Sequence, residues 1–247
     1  MRIIISPAKK MVDEAALAHQ DLPVFIERAE QLRDWMRSLT YAEQKKLWAC
    51  SDAIAEQNAE RLEHMDLCRN LTPALLAYDG IQYTYMAPAV FEDGHLTWVQ
   101  DHLRILSGFY GVLAPFDGVV PYRLEMGQKL SVDGFSDLYA FWGDALLRSL
   151  ADEGFTDIVN VASVEYSRAL TAHVGPGMPA ITTCLFGDVR DGRLIQRSTE
   201  AKAARGTFVR WCAERDIESL EDLRAFDERG YAYDEHLSDG KTLVFSR

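Results

Sequence analysis

"HLRILSGFYGVLAPFDGVVPYRLEMG", residues 102–127, is the stretch on which the fold turns. A largely apolar run, Leu103-Arg104-Ile105-Leu106, stops at Ser107-Gly108 and resumes after Gly111. Pro115 and Pro121 then interrupt it, and Arg123 and Glu125 follow at once. Thr97-Trp98-Val99-Gln100 carries the Thr-x-x-Gln spacing of a capping box, so the pattern predicts a helix that opens there and carries His102 to Leu106. A glycine hairpin and a second short helix would come next. Glycine permits positive φ and lets backbone N–H groups approach a ligand unobstructed, and amides exposed at a helix start suit a phosphate. Such a helix-hairpin-helix-like element grips a nucleic-acid backbone without reading bases, with Ser107, Gly108, Tyr110 and Gly111 as its contacts. The usual hairpin is Gly-x-Gly, whereas Gly108 and Gly111 enclose Phe109 and Tyr110. The same spacing suits a glycine C-cap followed by an aromatic turn in the core.

Outward from that stretch, Met1-Arg2-Ile3-Ile4-Ile5 reads as a first strand, too short an apolar run for a signal peptide. Residues 13–37 and 41–64 read as amphipathic helices, the second opened by the capping box Thr40-Tyr41-Ala42-Glu43. Ala74–Tyr78 and Tyr83–Met86 flank Asp79-Gly80 as a strand with a bend. Ser136 caps a predicted helix from Asp137 to about Glu153, closed by Gly154, and Asp157–Ala162 is a short buried strand. Residues 180–188 and 193–197 form a predicted hairpin around Asp191-Gly192. A helix over about 199–214 and a C-terminal hairpin turning at Asp239-Gly240 complete the chain. Strands and helices mix without a regular βαβ rhythm. The expected architecture is α/β (mixed), with residues 1–247 as a single compact domain and a central mixed sheet surrounded by helices.

Composition excludes several classes. The 247 residues are 48% hydrophobic and 26% charged, ordinary for a globular protein, and no apolar run approaches a membrane span. There is no Walker A, GxGxxG or GxSxG motif. Four scattered cysteines, Cys50, Cys68, Cys184 and Cys212, fit buried free thiols in a reducing compartment. Six dispersed histidines offer no zinc spacing, so neither a metal nor a cofactor is expected. The net charge of −12 argues against indiscriminate nucleic-acid binding. Yet Arg190, Arg193, Arg197, Lys202, Arg205 and Arg210 face only Asp191 and Glu200 in their stretch. That strip is either a solvated surface or an anion-binding face.

Six blocks then stand out: Ile5-Ser6-Pro7-Ala8-Lys9, Leu106 to Leu113, Pro121 to Gly127, Leu138 to Asp144, Asn160 to Tyr166, and Ala201 to Gly206. In this order they resemble the YaaA family of peroxide-stress proteins, over essentially the whole chain. The resemblance implies a cytoplasmic bacterial protein that helps cells survive hydrogen peroxide by limiting free intracellular iron. It also implies a mixed α/β fold peculiar to the family, with a positively charged cleft, a helix-hairpin-helix-like element and DNA binding. Family members often carry a second lysine where this chain has Ala203, which implies a weaker electropositive cleft here.

The shared polar residues have their own readings. Lys9 follows a strand, where ligands commonly bind in α/β folds, although a plain surface lysine fits too. Arg123 and Glu125, two apart, would share a strand face and pair, or Arg123 would clamp an anion. Tyr139 and Trp142 suit a core contact or a base-stacking platform. Ser163, Glu165 and Tyr166 end a buried strand. Lys202 and Arg205, three apart on one helix face, could hold a single anion.

Two function classes follow. In one, which leads through the resemblance, DNA is the partner and no residue does covalent chemistry. Backbone phosphates are held by the hairpin amides and the basic strip over residues 190–210, with Lys9, Arg123, Lys202 and Arg205 among the anion-binding residues. In the other, an enzyme acts on a nucleotide or similar anionic small molecule, with the same cations binding charge and Glu165 or Glu125 as general base. A metal-storage role ranks third. A closed pocket gathering the six blocks would favour the enzyme, and an open groove would favour DNA.

Overall fold

The residues Arg2–Ile5 are all buried and form an inner strand of an eight-stranded mixed sheet. They pair in parallel with Leu103–Ser107 on one side and Asp157–Asn160 on the other, with Ile3 opposite both Leu103 and Val159. Such a strand, covered on both faces, is expected to be continuously apolar. A computed structural model describes residues 1–13, 16–132 and 134–247. Across the sheet the order is Ala232–Tyr233, Thr242–Ser246, Ala180–Arg190, Asp157–Asn160, Arg2–Ile5, Leu103–Ser107 and Gly111–Leu113, and Arg193–Ile195 pairs with Ala180–Arg190. The five inner strands are parallel. The outermost pairings, and that of Arg193–Ile195, are antiparallel. Helices surround this sheet and share one hydrophobic core with it, as the α/β (mixed) reading expects.

The decisive stretch is not helical. The helix there is Asp93–His102, and its capping box joins Glu92 to His95. Thr97, the expected cap, lies inside it and donates its hydroxyl to the Asp93 carbonyl at 2.9 Å. Leu103–Ser107 is a fully buried strand that turns back on Gly111–Leu113, with Ser107 opposite Gly111. The expected helix-hairpin-helix is therefore a β-hairpin. A run of four residues, three of them apolar, fits either period, and pairing with Arg2–Ile5 decides for the strand.

Other expectations shift for similar reasons. The 41–64 helix is two, Tyr41–Trp48 and Asp52–His64, broken where Ala49 takes φ 46°. Its capping box forms as expected, with the Thr40 N–H on Glu43 Oε2 at 2.8 Å. Of the 13–37 helix only Ile26–Ser38 is helical, and residues 14–15 lie outside the described residues. The predicted strand at Ala74–Met86 is instead two short helices, Ala74–Ala77 and Ile81–Met86. The 137–153 helix breaks at Gly143, and Asp137 rather than Ser136 caps it, accepting the Ala140 N–H at 2.8 Å. The Asp191-Gly192 hairpin, the Ser198–Glu214 helix and the turn at Asp239-Gly240 form as read.

One packing detail positions the site. Ile81–Met86 lies against Ser198–Glu214 so closely that a Cβ on Gly206 would fall 2.0 Å from the Gln82 carbonyl oxygen. Only glycine allows that approach. Buried Ala201, Ala203 and Ala204 continue the small-residue face.

Candidate functional site

From Ile5 the next strand of this sheet is Leu103–Ser107, on one side of Arg2–Ile5, and from Asn160 it is Ala180–Arg190, on the far side of Asp157–Asn160 from Arg2–Ile5. Where connections depart in opposite directions, a crevice opens at the carboxyl ends of the strands, the common ligand position in open α/β sheets. A cleft of about 450 Å³ lies there. Ser6 to Lys10 form one wall and Ser163, Glu165 and Tyr166 another. The Tyr122–Glu125 loop, the Asp79–Tyr83 segment and the helix residues Lys202 and Arg205 complete it.

Local bonds shape these walls. The Ser163 N–H donates to Ser6 Oγ at 2.8 Å, and the Tyr83 hydroxyl donates to the Ser6 carbonyl at 3.1 Å. The loop after Pro121 is extended but unpaired, and it is pinned to the end of the Tyr41–Trp48 helix. Arg123 Nε donates to the Trp48 carbonyl at 3.4 Å and Gln128 Nε2 to the Leu47 carbonyl at 2.6 Å. Those carbonyls, left free at a helix C-terminus, favour cationic and amide donors. Glu165 Oε1 accepts the Gly127 N–H at 2.8 Å, and the Tyr139 hydroxyl donates to the Glu165 carbonyl at 2.8 Å.

Five cations, Lys9, Lys10, Arg123, Lys202 and Arg205, face three carboxylates, Asp79, Glu125 and Glu165. Lys9 Nζ lies 2.7 Å from Glu125 Oε2, Arg123 Nη2 lies 3.8 Å from Glu125 Oε1, and Lys10 pairs with Asp79. Burial alone lowers the Arg205 guanidinium from its usual range, because a low-dielectric setting disfavours charge. Burial likewise pushes the Tyr122 hydroxyl up to about 12, even though Ser107 and Tyr78 hydroxyls bond to it at 2.7 and 2.9 Å. The Tyr166 hydroxyl is raised for the same reason. These phenols are held neutral as hydrogen-bonding groups.

Of the residues singled out from sequence, Lys9, Arg123, Glu125, Ser163, Glu165, Tyr166, Lys202 and Arg205 come together in this cleft. Ser107, Gly108, Tyr110 and Gly111 do not line it. The amides expected to meet a phosphate are spent inside the hairpin: the Phe109 and Tyr110 N–H groups donate to Ser107 Oγ at 3.1 and 2.8 Å. Gly108 is glycine because a Cβ would fall 2.6 Å from the Leu124 carbonyl oxygen. Ser107 reaches the cleft only by bracing Tyr122 from behind. Trp142 is core, donating Nε1–H to the Gly108 carbonyl at 3.0 Å, and so is no stacking platform. Ala203 is 1% exposed and lies outside the cleft wall, so lacking a lysine there removes no charge from the cleft.

The basic strip disperses. Lys202 and Arg205 face the cleft, Arg197 and Arg210 meet Asp188 and Glu214, and Arg190 and Arg193 sit at the exposed hairpin tip. The thiols are not uniformly buried: Cys184 and Cys212 are, Cys50 is half-buried and Cys68 is exposed. Sequence reading missed Lys10 and Gln82. Gln82 lay in a segment read as strand, and an amide side chain gives no motif. Among the described residues no three His, Cys, Asp or Glu side chains group to hold a metal, and no helix is long and apolar enough to cross a membrane.

Comparison with known proteins completes the description. The family model for peroxide stress protein YaaA matches residues 1–237. A UPF0246 protein of Desulfitobacterium hafniense is 50% identical over 246 residues, covering 99% of this chain and 97% of that protein. A UPF0246 protein of Agathobacter rectalis is 48% identical over 248 residues, covering 100% and 99%. One from Limosilactobacillus reuteri is 46% identical over 247 residues, covering 99% and 98%.

Proposed function

Because the chain belongs to the family of the peroxide stress protein YaaA, we propose that it acts in the cytoplasmic response to hydrogen peroxide by binding an anionic small molecule, of about nucleotide size, in the cleft. The observation that carries this reading is the meeting of Lys9, Arg123, Glu125, Glu165, Lys202 and Arg205 in one space of about 450 Å³. That volume lies within the usual small-molecule range and is far smaller than a seat for a duplex. Lysine and arginine nitrogens bind the charge. Glu165, anchored through Oε1 to the Gly127 amide, is the general base of an enzymatic reading, with Glu125 as the other carboxylate. A cleft with more cations than carboxylates repels iron, so the limitation of free iron belongs downstream of what the cleft binds.

DNA binding is the second reading. It is supported by Arg190 and Arg193, exposed at a hairpin tip, where phosphates could be reached without entering the cleft.

The test is complementation joined to binding. In a peroxide-sensitive strain lacking this protein, the parent restores survival and Glu165→Gln, folded normally, does not. Calorimetry with nucleoside phosphates gives saturable binding by the parent that Lys9→Ala weakens. Binding of duplex DNA alone, unaffected by nucleotides, would replace the first reading with the second.

A further inference from the structure

Two buried nitrogen donors of cleft-lining residues have no hydrogen-bond partner among the described residues. Gln82 is 6% exposed and its Nε2 is buried without a hydrogen-bond partner. Arg205 Nε is buried and likewise unpartnered. Both residues line the cleft. They spring from the point of closest approach of their helices, since Gly206, next to Arg205, is the residue packed on the Gln82 backbone.

Buried polar groups are nearly always paired, and each orphan calls for an explanation. The cost is greater where the donor belongs to a charged group, as at half-buried Arg205, whose Nε is the buried atom. The contrast within the cleft is informative. Lys9, Lys10 and Arg123 each have a carboxylate within ion-pair distance, whereas burial is the influence acting on Arg205 and no carboxylate is paired with it among the described residues. Both residues line one space, and a guanidinium and an amide together offer several N–H donors, the chemistry that suits a group with two or more acceptor oxygens. Lys202, three residues earlier on the same helix, adds positive charge from the same wall.

We propose that Arg205 and Gln82 form an oxyanion subsite at the buried end of the cleft, taking a phosphoryl or carboxylate group of the ligand. This rests on the small-anion reading above and deepens it. The anionic group points inward to Arg205, while Lys9, on the opposite wall and exposed, meets the ligand at the mouth. Glu125 and Glu165 are then left to the uncharged part of the ligand, where a proton could be taken without the carboxylates opposing the anion.

The experiment uses the full chain with Arg205→Met and Gln82→Leu as variants. Each is melted without ligand, then titrated with inorganic phosphate, adenosine monophosphate and citrate. An arginine waiting for a ligand destabilises the empty protein. Arg205→Met should therefore melt at or above the parent temperature. It should also lose about tenfold or more in affinity for whichever probe the parent binds, as expected for losing a charge-assisted hydrogen bond. Gln82→Leu should show a smaller loss of the same probe. A preference of the parent for phosphate and the monophosphate over citrate assigns the oxyanion as phosphoryl, and the reverse assigns it as carboxylate. The subsite is overturned if Arg205→Met melts below the parent or binds the probe as the parent does. If binding survives in Arg205→Met but is lost in Lys9→Ala, the cleft reading stands and the subsite alone falls. If the parent binds none of the three probes, both fall.

Discussion

Lys9 Nζ sits 2.7 Å from Glu125 Oε2, joining the segment that leaves the Arg2–Ile5 strand to the loop that follows Pro121. Both residues line the cleft, so a ligand there competes with the pair. With Lys9 66% exposed, solvent screens the attraction, and such pairs contribute about 0–1 kcal/mol. Lys9→Ala should then move the thermal midpoint by no more than about 4 °C, while weakening the affinity for nucleoside phosphates. Melting curves and calorimetry on the same preparations check both halves. A large loss of stability would make Lys9 a structural residue.

Gly111→Val should destabilise the protein without a selective effect on binding. Gly111 has φ +78°, and a Cβ there would lie 2.9 Å from both Leu146 Cδ2 and Phe25 Cδ2. Positive φ at a β-branched residue costs on the order of 1–3 kcal/mol, and crowding the core adds about as much again. Urea denaturation should show a lower midpoint with an unchanged slope. The fraction that remains folded should bind anions as the parent does.

Asp117 gives a pH prediction. Burial pushes its carboxyl up to about 7, helped by Asp21 and Glu153 and opposed by the Ala114 N–H at 2.8 Å and by Arg104. The folded state therefore keeps a proton that the unfolded state has already released, from roughly pH 4 upward. Over that window stability falls as pH rises, by about 1.4 kcal/mol per unit at most, and it levels off above the folded value near 7. Asp117→Asn should remove this slope and be more stable than the parent at pH 8 than at pH 4, relative to each other. Chemical denaturation across pH 4–8 decides it, and parallel pH profiles for the two proteins would reject the assignment.

The double variant Lys202→Ala/Arg205→Ala separates the two functional readings. If this face neutralises duplex phosphates, losing two contacts should reduce the magnitude of the log–log salt slope by about 1.8. If the pair serves a small anion, the duplex slope should hardly move while nucleotide binding is lost. Fluorescence anisotropy at several salt concentrations measures the first, and calorimetry the second.

Local chemistry made part of this molecule legible. The Thr40–Glu43 capping box, the Asp191-Gly192 turn and the Ser198–Glu214 helix depend on neighbours within a few residues, so they formed where read. The buried Arg2–Ile5 run, too, declared itself a strand. Ala49 and Gly143 broke helices that continuous periodicity predicted whole, because a break in backbone dihedrals leaves the hydrophobic pattern intact.

By itself the sequence determined the fold class, the family and eight of the polar residues that meet in the cleft, since block order and residue type survive without coordinates. Only the tertiary structure decided what Leu103 to Leu113 is. That short apolar run fits helix and strand equally, and the parallel pairing with Arg2–Ile5, a contact across about a hundred residues, selects the strand. The same pairing turned the Ser107–Gly111 amides inward and moved the charge-binding face from the hairpin to the cleft. Gln82 entered the site for a similar reason. Its place there is set by Gly206 letting two distant helices touch, which no local spacing records.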